Sequence, residues 1–424
     1  MMDTYSPVVL LSVDTLRADR FTEACFPESM PILKDDFAQF TNAYSHGNAT
    51  PFAFPGIIAG HPVVGDGRFP DTVPTIADLF DEPTTGFSNN GHLTAERGYD
   101  HGFDAFHDQH APDWSPSGID RVKQITRLRE SELVVKSYRA VKKLAAGRNG
   151  TDEDSNALEK PTWSADRVTD FVLRRLVADD AFVWGHYMDP HKPFIPSMAV
   201  DGPKIDRTDE EIAWLNDYEH EKDPIDPDDM AFLEALYDAN IRYFDRELAR
   251  LLQELRTKRW YDETLIVLVA DHGELFGEHG CMFHPMDIDP PDELIETPLL
   301  VKYPDGEYAG TSFEHLVQHA DIIPTIAETI GANPEGLPEN AHPLAATAER
   351  HVISKSNTSI RLTEADGTAI RRRDGTDENI DNLSALGCEI LEDATFPAVR
   401  TQSNDVKGVA DAQRKRQLEA LGYR

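Results

Sequence analysis

Residues 265–280, LIVLVADHGELFGEHG, set Asp271, His272 and Gly273 directly after a run of apolar residues. An adjacent Asp and His offer one hard oxygen and one imidazole nitrogen, a pair suited to a divalent cation. Gly273 lets backbone come close to whatever is held there. The same three residues also suit a plain turn, with Asp271 capping and Gly273 at positive φ, and the stretch alone leaves both readings open. A second apolar run, residues 8–13, ends at Asp14, which is either a further metal ligand or a cap. A third run, AFVWGHY at 181–187, ends in Met188-Asp189-Pro190-His191-Lys192-Pro193. Thr50 stands before Pro51, and Pro prefers the first turn of a helix, so Thr50 is expected at the N-cap of a helix reaching Gly60. A hydroxyl there lies in a field that favours anions, although capping is the ordinary task of such a threonine.

Short continuous apolar runs read as strands buried on both faces, and open α/β sheets take ligands at the strand carboxyl ends. Apolar spacing predicts helices at 31–40, 131–144, 166–176, 232–255 and 321–330, and strands at 84–88 and 297–302. Residues 145–160, AAGRNGTDEDSNALEK, read as a linker. Beyond about 333 the texture changes, and Asp366-Gly367 and Asp374-Gly375 read as hairpin turns. The expected chain is therefore α/β: a central, mostly parallel sheet flanked by helices over 1–332, then a small antiparallel C-terminal subdomain and tail over 333–424.

The chain has 424 residues, with 76 Asp and Glu against 41 Lys and Arg, a formal net charge of -35. Such charge excludes a nucleic-acid binder, which needs a basic stripe, and repels anionic membrane surfaces. Its even spread resembles proteins of extreme halophiles, where molar salt screens it. Three cysteines, Cys25, Cys281 and Cys388, are too few for a disulfide framework. No basic leader and no run near the roughly 20 apolar residues of a span is present, so the expected location is cytoplasmic, with no membrane span.

Taken in order, VVLLSVDTLRADR, NAYSHGNATPFAFPGIIAG, HYMDPHKPF, LIVLVADHGELFGEHG and TPLLVKYP resemble the sulfatases and their relatives in the alkaline phosphatase superfamily, from about residue 8 to 330. The resemblance implies an alkaline-phosphatase-like sandwich. It puts metal ligands on Asp14, Asp271 and His272, the nucleophile on Thr50, substrate-side histidines on His92 and His191, and a later basic residue on His284. One divalent cation (Ca, Mg, Mn or Zn) is expected, and Asp189 with His279 are candidates for a second site. Lys192 and Asn90 are candidates for holding the anion.

This sequence also departs from the pattern. Sulfatases carry C-x-P-x-R, or Ser first, with that residue converted to formylglycine; here the stretch is Thr50-Pro51-Phe52-Ala53-Phe54. Threonine cannot become formylglycine, and Phe54 replaces the arginine. The usual Asp-Asp after the first strand is Asp14-Thr15, and the usual lysine two before His92 is Asn90. A formylglycine hydrate expels sulfate by collapsing to the aldehyde, an exit that a threonine sulfate lacks. A phosphothreonine can be resolved by water or an alcohol at phosphorus. The expectation is a sulfatase-like, metal-dependent hydrolase of a small-molecule or glycan sulfate or phosphate ester, with phosphorus favoured, Thr50 attacking and His191 or His284 protonating the leaving oxygen. Two other readings stand beside it: a phospho-group transferase acting on a glycan or lipid, and an inactive binding protein of the same fold.

Overall fold

In the computed structural model, residues 7–61, 69, 73–108, 162–177, 180–218, 225–333 and 341–397 are described. The helix expected at 131–144 and the linker at 145–160 lie outside them.

Two six-residue runs, VVLLSV and LIVLVA, build the centre of the fold. They form β1 (Val8–Val13) and β6 (Leu265–Ala270), every residue of each buried. They pair in parallel and in register, Val13 opposite Ala270, while β5 (Phe182–Tyr187) pairs along the other edge of β1 with Val13 opposite Tyr187. All three strands therefore stop at one level. Asp14, Asp271 and the 188–193 loop emerge side by side, Asp271 N–H donating to Val13 O at 3.0 Å and Asp14 N–H to Tyr187 O at 2.9 Å.

Around these strands run β2 (Ala38–Tyr44), β3 (Thr84–Phe87), β4 (Ala105–His107), β9 (Leu299–Lys302) and β10 (Ser312–Gln318), in the order β10-β2-β9-β6-β1-β5-β3-β4. Only β9 runs against its neighbours, pairing antiparallel with β2 and β6, so the sheet is mostly parallel as expected. A two-stranded ribbon, β7 (Leu275–Phe276) with β8 (Met282–Phe283), follows the Asp271 turn.

Helix α1 (Met30–Asp36) is shorter than the expected 31–40. Phe37 is the extended C-cap of α1, and Phe40 lies in β2, whose first three residues, Ala38, Gln39 and Phe40, alternate buried, exposed, buried. Helix α2 (Thr50–Ala59) has all ten residues buried and closes on Gly60 in the left-handed region, φ 68°. The expected cap shifts by one residue. Ala49, at φ -160°, is the N-cap, and Thr50 is the first helical residue. Helices α3 (Ala165–Val177), α4 (Asp209–Asn216), α5 (Pro227–Arg256) and α6 (Ile322–Ile330) follow, with Asp226 accepting from Asp228 N–H at the head of α5.

Three short strands, β11 (Val352–Lys355), β12 (Ser359–Glu364) and β13 (Gly367–Arg372), form the expected antiparallel C-terminal sheet, with α7 (Ala385–Asp393) against it. The turn before Gly367 is a two-residue hairpin, since Glu364 pairs Gly367. At Gly375 the chain turns back to a single bridge, Ile370 to Glu378, and not to a strand. β11 reaches the loop before α2: Lys355 N–H donates to His46 O at 2.8 Å and Ser354 Oγ to Ser45 O at 2.6 Å.

Candidate active site

The level strand ends bring Asp14, Asp271 and His272 together, with one ligand atom of each lying within 4.8 Å of the others. All three are fully buried. Asp271 Oδ1 accepts from His272 N–H at 2.8 Å and Thr15 N–H at 3.2 Å, which fixes the carboxylate, while Oδ2 has no hydrogen-bond partner. His272 Nδ1 donates to Gly273 O at 2.8 Å, so the neutral ring presents a lone pair at Nε2. Nε2 lies 3.7 Å from Asp271 Oδ2 and 3.9 Å from Asp14 Oδ1. Two hard oxygens and one imidazole nitrogen around an orphaned buried carboxylate oxygen fit a divalent cation. Without one, burial and the neighbouring Asp14 push the Asp271 carboxyl above its usual range.

The backbone at Thr15 is shaped for this convergence. Thr15 takes φ 55°, an unusual conformation for a β-branched residue, and its carbonyl accepts from Tyr237 Oη at 2.7 Å. Its N–H thereby meets Asp271. At Gly273 an added Cβ would stand 2.0 Å from Glu293 O, so only glycine fits the turn after His272.

Thr50, fully buried at the head of α2, lies with Oγ1 3.3 Å from His272 Nε2 and 3.5 Å from Asn90 Nδ2. Asn90 also donates to Asp14 Oδ2 at 2.7 Å. His92 N–H donates to Asn90 Oδ1 at 2.8 Å, which sets the amide with its NH2 toward Asp14 and Thr50.

His191 and His284 complete the wall. Their ring centroids are 5.0 Å apart, and His284 is 4.8 Å from His272. His191 Nδ1 donates to Lys192 O at 2.6 Å, and its Nε2 is 3.9 Å from Asp14 Oδ1. His284 Nδ1 lies 2.7 Å from Glu274 Oε1. Burial pulls the His284 pKa down to about 3, helped by the Lys192 ammonium, and burial lifts Glu274 to about 8. Lys192 donates to Asn216 O at 3.3 Å and stands 4.0 Å above the Phe283 ring, beside this pair.

The candidate second pair, Asp189 and His279, is not brought together. Asp189 Oδ1 accepts from Ala165 N–H at the start of α3, while exposed His279 pairs with Glu293 at 3.0 Å. Among the described residues, Asp14, Asp271 and His272 are the one group placed to hold a metal. Phe54, at the arginine position, is core, its ring 5.3 Å from Trp184 and 5.1 Å from His186.

Two residues of the site were not singled out from sequence. Glu274 follows the Asp-His-Gly turn and supports His284. His186 lies inside β5 and meets Asp14 Oδ2 at 3.2 Å. The signal available for His186 was polar Ser12 in the neighbouring apolar run, which the register sets directly opposite it.

The mixed sheet, with Asp14, Asp271 and His272 grouped at its strand ends, has the fold of solved phosphonate monoester hydrolases. The chain aligns over 98% of its length with the phosphonate monoester hydrolase of Agrobacterium radiobacter, covering 95% of that structure (TM-score 0.58, 17% identity). It also aligns over 91% with a phosphonate monoester hydrolase from Silicibacter pomeroyi, covering 93% of that structure (TM-score 0.60, 17% identity). Residues 6–332 match the sulfatase family, and the chain belongs to it. An uncharacterized sulfatase of Escherichia coli is 26% identical over 51% of this chain and 46% of its own length. A choline-sulfatase of Rhizobium meliloti is 33% identical over 23% of this chain and 18% of its own length. The chain thus spans less than half the length of these curated relatives.

Proposed function

We propose that the protein is a metal-dependent ester hydrolase in which Thr50 is the nucleophile and phosphorus the preferred centre. The observation that carries this is the position of Thr50 Oγ1, 3.3 Å from the ring nitrogen of His272 and at the head of a fully buried helix. Residues 1–332 are the catalytic part, and the C-terminal sheet supports the loop before α2. A divalent cation on Asp14, Asp271 and His272 would lower the pKa of the Thr50 hydroxyl and stabilise charge on an ester oxygen.

The side chains then divide the remaining work. Asn90 Nδ2 donates toward Thr50 Oγ1 and holds it for in-line attack, and the α2 N-terminus favours the incoming anion. The Thr50 hydroxyl gives its proton to water, and Oγ1 bonds to phosphorus as the ester oxygen leaves with its electron pair. The leaving oxygen takes its proton from His284 Nε2 as the Glu274 carboxyl, which burial keeps protonated, passes its own proton to Nδ1; His191 is the alternative donor. Water then attacks phosphorus and gives its proton to His284 Nε2, which the first step left unprotonated, and the Thr50 Oγ1–phosphorus bond breaks as Oγ1 takes a proton back from water. A threonine sulfate lacks the internal exit of a formylglycine hydrate and would have to be attacked at sulfur. With Phe54 and Asn90 where a sulfatase has Arg and Lys, the pocket also carries less positive charge. That favours a singly charged phosphodiester or phosphonate monoester over a phosphate dianion. The phosphonate monoester hydrolases among the structural neighbours are consistent with this choice.

The test is turnover of aryl sulfate, aryl phosphate and aryl phosphodiester by wild type, Thr50→Ala and Thr50→Ser with Mn2+, Mg2+, Ca2+ or Zn2+. The expected result is diester cleavage, reduced by at least about a thousandfold in Thr50→Ala and partly kept in Thr50→Ser. Sulfate release by wild type, or diester cleavage unchanged in Thr50→Ala, refutes the proposal.

A further inference from the structure

From Asp14 a line of polar groups runs between two otherwise apolar strands. Leu10 pairs with Trp184 and Ser12 with His186 across β1 and β5. Trp184 Nε1 donates to Ser12 Oγ at 2.8 Å, Ser12 Oγ lies 2.9 Å from His186 Nδ1, and His186 Nε2 lies 3.2 Å from Asp14 Oδ2. All four side chains are fully buried, so bulk water cannot replace any of these partners.

The direction of the line follows from what each group can do. An indole N–H only donates, so Ser12 Oγ accepts from Trp184 and has its own hydrogen to give. In the neutral ring that hydrogen goes to His186 Nδ1. The ring proton then sits on Nε2 and points at the Asp14 carboxylate. The opposite tautomer would aim a lone pair at a carboxylate oxygen. Asp14 Oδ2 also receives Asn90 Nδ2–H at 2.7 Å, from an amide whose orientation His92 N–H fixes. Two donors therefore occupy Oδ2, while Oδ1 faces His191 and His272, both at 3.9 Å.

We infer that His186 is a positioning residue: the Trp184–Ser12–His186 line, together with Asn90, holds Asp14 by Oδ2 and so turns Oδ1 toward His272 and the cation site. The inference deepens the reading of Asp14, Asp271 and His272 as the cation site and rests on it. Its chemical consequence would be an aspartate ligand held by neutral donors, its charge not offset by any cationic side chain in the line. Ligands held in this way by outer partners typically lose about 10- to 100-fold in metal affinity when the partner is removed.

The experiment is calorimetric titration of Mn2+ into the full chain as wild type, His186→Ala, His186→Gln, Ser12→Ala and Asp271→Asn. The melting temperature of each metal-free protein reports folding. His186→Ala is expected to weaken Mn2+ binding about 10- to 100-fold. His186→Gln, whose amide N–H can take the place of Nε2–H, recovers most of that loss, and Ser12→Ala loses less than His186→Ala. Histidine-selective 15N spectra of the metal-loaded wild type, assigned by the signal missing in His186→Gln, are expected to show His186 protonated at Nε2 alone. This spectrum and the His186→Gln affinity carry the test should His186→Ala fail to fold. The inference alone is overturned if His186→Ala binds within about threefold of wild type while Asp271→Asn has lost binding, or if Nδ1 carries the proton. A wild type that binds no Mn2+ overturns the cation-site reading, and the inference with it.

Discussion

Replacing Asp271 by asparagine separates the metal site from the scaffold that carries it. In the folded chain Oδ1 is fixed by two backbone N–H groups, so an asparagine places its carbonyl oxygen there and turns its NH2 into the place of Oδ2. That NH2 would point donors where a cation needs an acceptor, near His272 Nε2. The size of the effect follows from chain length. For 424 residues the unfolding entropy is about 0.9 kcal/mol/K. A cation at a hundred times its Kd adds about 2.7 kcal/mol to the folded state, hence about 3 °C in Tm, and each further tenfold adds about 1.5 °C. Calorimetric scans of wild type and Asp271→Asn with and without Mn2+ are expected to show this rise in wild type alone. The metal-free variant is expected to melt higher than metal-free wild type, because one of two mutually repelling buried carboxylates is gone. The pH dependence carries the same sign. A carboxyl raised in the folded state holds a proton that the unfolded chain has released, so metal-free stability falls as pH rises from about 4 through the raised value. Asp271→Asn lacks that fall. A variant that keeps the Mn2+ shift, or that melts well below metal-free wild type, refutes the reasoning.

Two further predictions concern the frame. Burial and the neighbouring Arg371 pull the Lys355 pKa down to about 8, so the folded chain sheds this proton before the unfolded chain does. The stability of wild type relative to Lys355→Met should therefore grow as pH rises from about 8 to about 10.4, and urea titrations giving a constant difference would contradict this. A Cβ on Gly56 would stand 1.9 Å from His46 Cδ2, and that ring is buried against Ala320 N–H. Gly56→Ala should cost about 1–3 kcal/mol in urea unfolding despite alanine's better helix propensity; a neutral or stabilised variant would show that the ring can yield.

Where a residue had one possible environment, its place was legible in the sequence. The runs ending at Val13 and Ala270 are apolar at every residue but Ser12, which only a strand buried on both faces explains, and their level ends make the convergence of Asp14 and Asp271 follow. Phe37 and Phe40 were ambiguous because a three-residue spacing fits a helix, whereas the structure settles them by the alternation of Ala38, Gln39 and Phe40. The cap slipped by one because Pro51 is tolerated at either of the first two helical positions, and here it takes the second. His186 was hidden for a different reason. Inside an apolar strand a histidine reads as a satisfied core residue, and only the register that pairs it with Ser12 shows what satisfies it.

Phe54 and His186 belong to one arrangement. Phe54 packs edge-on to His186 and against Trp184, the two rings of the line that ends on Asp14. An arginine at 54 would either leave an unpaired charge within this fully buried core or withdraw its guanidinium to meet an anion and leave a void beside His186. The loss of the sulfatase arginine is therefore not a single vacant position that one substitution could refill. With Phe54 in place, the aromatic packing that excludes water from the Trp184–Ser12–His186 line is also what removes positive charge from the anion's side of α2. The proposed support of Asp14 and the proposed preference for a singly charged ester then rest on the same aromatic packing.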